Sequence, residues 1–554
     1  MKYFLLKQNM KPLWFVLFWL AINLLQSAFT ELTSDEGYYW FYSLHLQWGY
    51  YDHPPLLALL IKAGYFLFRN EFGVRLLYVI LNASSLLIFI NLLPPGFRKK
   101  NYPYFIIAAM PLLHYISFIV FPDGPLLFFT ACFLWSYKKF LSKPGIHLSI
   151  LLGLIMSLML YSKYHAVLVI GFTLISNLSL LKNRYFYAAI LIAGILFIPH
   201  LVWQFNNDFI TFHYHLHQRE GASSSNRVFE YISQQVLAIG PAFIFVPFVY
   251  RVKDQFEKTL LYLTLGTFAF FLVASINTFV HFHWTSIAIF PILYMAVKYY
   301  HDKKRKTILW LLLPFFIISL LFRVQLISTL LPVNHVGVDY YDGRKNWGKE
   351  IHELAGNSPV VFENNFRESS LYSFYSGQMG VALFSGENRK TQYDLWHYED
   401  SLQFKNVYLQ KRDSFPGCMS MQTSLGKKFY YVYIPRFQSF YNIKVTAQIP
   451  QLIPAGTNAT VEIAILNPRK DSLLFIPHDG VFPSLYCRMT GKQTVTEQQL
   501  FVFPVSNVIP GGIFKFHVTL NTAGLPEGKY SLSIGFKSPP LQDSFNSAYT
   551  FRIQ

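Results

Sequence analysis

Three carboxylates and a histidine crowd one short stretch near the start of the chain. Asp35 and Glu36 open the run Asp-Glu-Gly-Tyr-Tyr-Trp (35–40), and Asp52 and His53 lie in Tyr-Tyr-Asp-His-Pro-Pro (50–55). They follow directly on an apolar segment, and acidic groups beside a bilayer are costly unless they do chemistry or bind an ion. A carboxylate held there can take the proton of an attacking hydroxyl. Later charged residues extend the pattern: Asp123 in Pro-Asp-Gly-Pro-Leu (122–126), Lys163 in Ser-Lys-Tyr-His-Ala (162–166), and His283 just before Trp284.

The elements that must position these groups are transmembrane helices. Over 554 residues the chain is 53% hydrophobic, 18% aromatic and only 14% charged, too apolar for an ordinary soluble surface. Apolar runs near bilayer-spanning length fall at 12–28, 72–93, 103–121, 124–138, 146–161, 164–181, 185–202, 233–250, 259–277, 283–299 and 307–325. The pattern predicts a polytopic α-helical protein with about eleven helices, of which 124–138 and 146–161 are the shortest.

Charge sets the expected topology. One set of loops carries nineteen Lys and Arg residues, among them Lys11, Arg98 to Lys100, Lys138, Lys139 and Lys303 to Lys306, while the alternating set carries only Lys62, Arg69, Lys163, Arg219 and Arg227. Short cytoplasmic loops retain positive residues. The N-terminus is therefore predicted to be cytoplasmic, with the acidic loop and everything after the last helix outside. The net charge of +18 is read as a topology signal and not as nucleic-acid binding. The first apolar segment is read as an uncleaved helix, since cleavage after Gln26-Ser27-Ala28 would release the acidic loop at one end.

After the predicted transmembrane domain (1–325) the composition becomes water-soluble. Residues 326–440 combine a helical stretch at 347–354 with short apolar runs at 360–362 and 429–433, which predicts an extracytoplasmic α/β subdomain. From 441 to 554, period-2 runs at 443–446, 460–463, 514–518 and 530–534 alternate with turns such as Pro-Gly-Gly (510–512) and Pro-Glu-Gly (526–528), the pattern of a β-sandwich of immunoglobulin-like type. No clustered titratable groups mark it, so a binding or spacing module is expected. Cys132 lies in a predicted helix; Cys418 and Cys487 fall in different predicted subdomains, which weighs against a bridge between them.

Taken together, the runs 35–40, Trp-Gly-Tyr-Tyr-Asp-His-Pro-Pro-Leu (48–56), 122–126 and 162–166 resemble the signature of bacterial glycosyltransferase family 39, which includes relatives of protein O-mannosyltransferases and of the lipid A aminoarabinose transferase. The run 203–209, the pair His283-Trp284 and Arg-Lys-Asn-Trp (344–347) are similar as well. The resemblance covers about residues 10–380 and leaves the sandwich outside.

It implies a GT-C membrane fold that moves a sugar from a polyprenyl-phosphate donor to an envelope lipid, glycan or protein hydroxyl on the outer face, with inversion. Asp35 matches the family's first-loop aspartate and is the expected base. Glu36, Asp123, Lys163 and His283 are candidates for binding acceptor or donor. The leaving phosphate must be met by a cation, a metal or preorganised donors, and Asp52, His53 and Lys163 are candidates for that work. Where relatives of the aminoarabinose transferase carry an acid followed by lysine, this chain has Asp52-His53. That departure shifts weight from direct phosphate contact toward a divalent metal ion, the one cofactor left open.

Plainer readings stand beside these. A solvated carboxylate is the alternative for Asp35, and a lysine snorkelling to headgroups the alternative for Lys163. The run His-Tyr-His-Leu-His (213–217) places histidines at period 2, as on one face of a metal-binding strand, but without acidic or cysteine companions a solvent-facing loop is the stronger reading. The stretches 38–42 and 56–61 look amphipathic enough to lie in the interface beside membrane lipids. A transporter or flippase of lipid-linked envelope precursors is the alternative function, for which paired internal repeats are wanting.

Overall fold

Each of the eleven apolar segments folds wholly or partly as helix in the computed structural model, which describes residues 10–215, 226–302, 307–328, 343–383, 390–478, 480–492, 494–503 and 507–554. The chain divides into two compact units, residues 1–342 and 343–554.

Among the described residues of the first unit, five helices are long and apolar enough to cross a bilayer: Lys11–Phe29 (α1), Glu71–Leu92, Arg184–Asn206, Gln255–Ala274 and Trp310–Ser328. The segment 124–138 folds as one unbroken helix, Asp123–Ser142, while the remaining segments are shorter or broken, several for local reasons. Pro111 removes an N–H and disfavours helical backbone at Met110, so the run predicted over 103–121 splits into Tyr102–Ala108 and Pro111–Ile116. Gly240 takes φ 93° ahead of Pro241, and Arg227–Ile239 and Pro241–Val249 meet at a 97° bend. The run at 283–299 opens as a tighter 3-10 helix, Phe282–Ala288, before Ile289–Asp302.

Two short helices fill the gap between α1 and Glu71–Leu92: Ser34–Leu44 (α2) and Leu56–Leu67 (α3); we label Glu71–Leu92 α4. α3 is amphipathic, burying Leu57, Ala58 and Ile61 and exposing Leu59, Phe66 and Leu67. The amphipathic reading fails for the aromatic stretch 38–42. Tyr38, Tyr39, Trp40, Phe41 and Tyr42 are all buried, because α2 is packed within the helical unit. α4 is the central strut, packed against α1, α3 and the helix Asp123–Ser142.

The second unit begins with the helix Arg344–Ala355. Strands Val360–Glu363 (β1), Gly380–Leu383 (β2), Val407–Lys411 (β3), Met419–Gln422 (β4) and Lys428–Ile434 (β5) form one mixed sheet in the order β2-β1-β3-β5-β4, parallel around β1 and antiparallel around β5. The remaining strands are Lys444–Gln448 (β6), Leu452–Ile453 (β7), Ala459–Leu466 (β8), Leu473–Leu474 (β9), Ser484–Thr490 (β10), Val495–Val502 (β11), Asn507–Val508 (β12), Ile513–Leu520 (β13), Gly528–Lys537 (β14) and Ser544–Ile553 (β15). They make a β11-β10-β14-β15-β7 sheet, a β13-β8-β6 sheet and a small β12-β9 pair. Inward-facing Val461, Ile463, Ile465, Leu532, Ile534 and Phe536 share one apolar core, as the period-2 alternation predicts. Cys418 and Cys487 are free thiols.

Two buried carboxylates tie the mixed sheet to the sandwich. Glu363 accepts from the Tyr441 hydroxyl (2.8 Å) and the Gln542 N–H (2.6 Å) and pairs with Lys411 (2.9 Å). Glu399 accepts from Arg469 (2.7 Å), the Ser439 hydroxyl (2.6 Å) and the Tyr441 N–H (3.0 Å).

Candidate active site

The acidic run begins with a helix start. Thr33 caps α2: its hydroxyl accepts the Glu36 N–H (3.4 Å), and the Glu36 carboxylate in turn accepts the Thr33 N–H (2.8 Å), a capping box. The same carboxylate is fully buried and clasped by Arg75 of α4, with Nε to Oε1 at 2.7 Å and Nη2 to Oε2 at 2.6 Å. Val120 N–H adds a further bond to Oε1 (3.0 Å). Arg75 spends its remaining donors on the carbonyls of Thr30 (2.5 Å), Ser27 (3.3 Å) and Glu31 (2.9 Å) at the end of α1. Glu36 therefore joins α1, α2, α4 and the Val120 segment. Its lone pairs are occupied by protein, which makes it a positioning residue.

Asp35 is one residue earlier in the first turn of α2 and retains partial solvent exposure. Asp35, Glu36 and Asp123 all lie within electrostatic reach of the buried Tyr115, so the first two acidic motifs converge on one place.

Asp123 begins the helix Asp123–Ser142 and is fully buried. Lys163, at the end of Ile146–Ser162, puts its ammonium 2.9 and 2.8 Å from the two carboxylate oxygens. Ser286 donates to Oδ1 (3.0 Å), and His283 Nε2 stands 3.8 Å from Oδ2. The His283 ring lies over Phe121 at 4.9 Å, and Lys163 over Trp284 at 5.6 Å. Three sequence-predicted residues thus form one cluster. Lys163 is buried, which is not the placement of a lysine reaching for headgroups.

The Asp52–His53 loop is a second cluster. The Tyr42 hydroxyl donates to Asp52 Oδ1 at 2.5 Å, Tyr42 stacks on Tyr50 at 4.4 Å, and the Tyr39 hydroxyl meets His53 Nε2 at 3.3 Å. The loop is held from behind by residues that sequence reasoning did not single out. His200 meets the Trp48 carbonyl (2.6 Å) and the Tyr164 hydroxyl (2.7 Å); Gln204 donates to Tyr164 (3.1 Å) and Thr211 (2.7 Å); Thr211 donates to the Tyr50 carbonyl (2.9 Å). Gly49 is pressed on Trp203, where a Cβ would come within 2.4 Å of the indole. A usable signal existed: Trp203 and Gln204 belong to the run 203–209 that carries the family likeness.

His213 and His215 lie on a helical turn, so the period-2 strand reading fails for them; Leu216 and His217 lie outside the described residues. His215 is half-buried and turns its Nε2 to the Asp52 carbonyl (3.0 Å), not into open solvent. A divalent ion held by protein alone takes three or more converging ligands, whereas one shared with a donor phosphate takes one or two carboxylates. Among the described residues no group of three or more His, Cys, Asp or Glu is so placed, and His215 faces the backbone oxygen of Asp52, not its carboxylate.

Comparison with known proteins fits this geometry. Residues 52–203 match the dolichyl-phosphate-mannose-protein mannosyltransferase family. Over 371 residues the chain is 25% identical to the lipid A galacturonosyltransferase RgtD of Rhizobium johnstonii, a match spanning 62% of this chain and 77% of that protein. The fold is similar to that of ArnT from Cupriavidus metallidurans in the apo state, with TM-score 0.57 at 11% identity over 76% of this chain and 97% of that one. It is also similar to ArnT bound to undecaprenyl phosphate, with TM-score 0.55 at 12% identity and the same coverage. Fold and family likeness agree on the class: the chain is a polytopic membrane glycosyltransferase of the GT-C type. Within that class it is similar to the bacterial family 39 enzymes, as the motifs predict.

Proposed function

We propose that this enzyme moves a glycosyl group from a polyprenyl-phosphate donor to a hydroxyl of an envelope glycolipid, at the extracytoplasmic side of the membrane, with inversion. The observation that carries the assignment of roles is the contrast between adjacent acids. Glu36 is buried and occupied by Arg75, Thr33 and Val120, whereas Asp35 keeps solvent access at a helix N-terminus.

In this reading the acceptor hydroxyl attacks the anomeric carbon from the face opposite the phosphate. A carbon–oxygen bond forms, the bond to the donor phosphate breaks, the hydroxyl proton passes to Asp35, and polyprenyl phosphate leaves. Lys163 and His283, gathered on Asp123, stand ready to meet the negative charge that grows on the leaving group. His53 meets the hydroxyl of Tyr39 on α2, the helix that carries Asp35. A lipid-linked donor suits a site on transmembrane helices, and the names of the relatives, a lipid A transferase and an undecaprenyl-phosphate complex, point to the same donor and acceptor chemistry. Placing the site outside rests on the distribution of Lys and Arg between loops.

The test is transfer of radiolabelled sugar from polyprenyl phosphate in membranes holding the wild-type chain or Asp35→Asn. Label should reach a lipid-extractable acceptor with the wild type only. Equal transfer by both would refute the base assignment, and no transfer from any polyprenyl-phosphate sugar by the wild type would refute the donor class.

A further inference from the structure

The sandwich carries a cleft that the sequence reading, with no clustered titratable groups there, did not anticipate. Its volume is about 890 Å³, and it lies at one end of the five-stranded sheet, walled by the β10–β11 turn, the turn entering β14, and β15. Three cations line it: Lys492, Lys529 and Arg552. Lys529 and Arg552 stand directly opposite each other on β14 and β15, a placement that by itself destabilises a sheet through like-charge repulsion.

Elsewhere on the sandwich, several basic side chains are paired: Arg488 with Glu497 (2.8 Å), Lys515 with Glu462 (3.1 Å) and Lys537 with Asp543 (3.8 Å). Among the described residues none of the three cleft cations has an acid within ion-pair distance, although Glu527 lies on the rim. The backbone around them is firmly set. Tyr530 stacks on Phe551 at 5.5 Å and donates to the Pro526 carbonyl (2.8 Å), and Gly491 packs so closely that a Cβ would lie 2.7 Å from the Tyr530 ring. A guanidinium and two ammonium groups suit phosphate oxygens, and neutral Thr494, Thr550 and Gln451 add hydrogen-bonding groups suited to hydroxyls. The volume is that of a small-molecule site and far exceeds one phosphate.

We propose that this cleft binds a phosphorylated saccharide, its phosphate seated between Lys529 and Arg552. The inference is separate from the transfer reaction, since binding needs neither donor nor turnover.

The test is equilibrium binding by microscale thermophoresis with the full-length protein in detergent, using three probes: a glucosamine disaccharide bearing two phosphates, the same disaccharide without phosphate, and inorganic phosphate. The bisphosphate should bind saturably, at least tenfold tighter than either control, and more weakly as salt rises. Lys529→Glu with Arg552→Glu should weaken it at least tenfold while leaving the melting temperature within a few degrees, and Lys515→Gln should bind as wild type. Should the double variant fail to fold, the milder Lys529→Gln carries the test, with a weakening of about threefold or more expected. Equal binding of the unphosphorylated disaccharide, equal binding of inorganic phosphate, or unchanged binding by folded variants would each overturn the proposal.

Discussion

Arg75 closes on Glu36 with two hydrogen bonds of 2.7 and 2.6 Å while both side chains are entirely shielded from solvent. The pair separates the parts played by two adjacent acids: one carboxylate anchors the helix start, and its neighbour is left at the accessible face. Removing one member of a buried ion pair strands the other charge, at a cost of about 3–5 kcal/mol. Glu36→Ala and Arg75→Met should therefore lower the melting temperature in detergent sharply and reduce yield. A melting temperature unchanged in either variant would count against the anchoring role.

Asp35→Asn should behave in the opposite way. It preserves size and the helix start, so melting temperature and membrane insertion should match the wild type, while turnover falls by about 10²–10⁴-fold, the range for loss of a general base. Initial-rate assays beside thermal unfolding separate the two outcomes, and near-normal turnover would remove Asp35 from the chemistry.

Much of this was legible in the sequence because it rests on periodicity and charge. Apolar runs gave the helices, and alternation gave β8, β13 and β14. What escaped reading depends on long-range pairing. Nothing local says that Arg75 will bind Glu36, that Lys163 will reach Asp123 across forty positions, or that His200, Gln204 and Thr211 will brace the 48–53 loop. Helix breaks were similarly hidden, since Met110-Pro111 and Gly240-Pro241 sit inside runs whose composition is predominantly apolar. The basic cleft escaped because its three cations come from separate strands and turns.

The Lys163–Asp123 pair predicts non-additive behaviour. Lys163→Met leaves a buried carboxylate with Ser286 as its remaining close donor, and Asp123→Asn leaves a buried ammonium without its anion. Each single variant should lose stability by several kcal/mol. The double variant should recover part of that loss, because no charge is stranded, yet stay inactive. A double-mutant cycle on melting temperature and transfer rate reads both. Strictly additive destabilisation would mean that the pair is not coupled.

A pH-dependent contribution is expected in the second unit. Burial is the main cause that pushes the Asp394 carboxyl up to about 6, against the opposing hydrogen bonds from Thr391. A raised carboxyl favours the protonated folded state. Its contribution to stability is therefore fully present below the ordinary carboxyl value and is lost as pH rises through about 6. Asp394→Asn should remove that dependence, so the wild type should lose stability relative to the variant between pH 4 and 7. Parallel melting curves for the two proteins over that range would contradict the assignment.

The last prediction concerns where the chain can be cut. Composition places a boundary near 440, which suggests that the mixed sheet would survive without the sandwich. Glu363 and Glu399 argue otherwise. Ending the chain at 440 removes the Tyr441 hydroxyl and Gln542 N–H from Glu363, and Arg469 and the Tyr441 N–H from Glu399. Two buried carboxylates would lose most of their partners at once, and an uncompensated buried charge costs several kcal/mol, comparable with the whole stability of a small domain. Such a truncation should yield a second unit that is degraded by limited proteolysis while the helical unit persists. Arg469→Met in the full-length chain should give a milder form of the same defect, with faster cleavage after 343. A protease-resistant 343–440 fragment from the truncated protein would show that the mixed sheet stands alone.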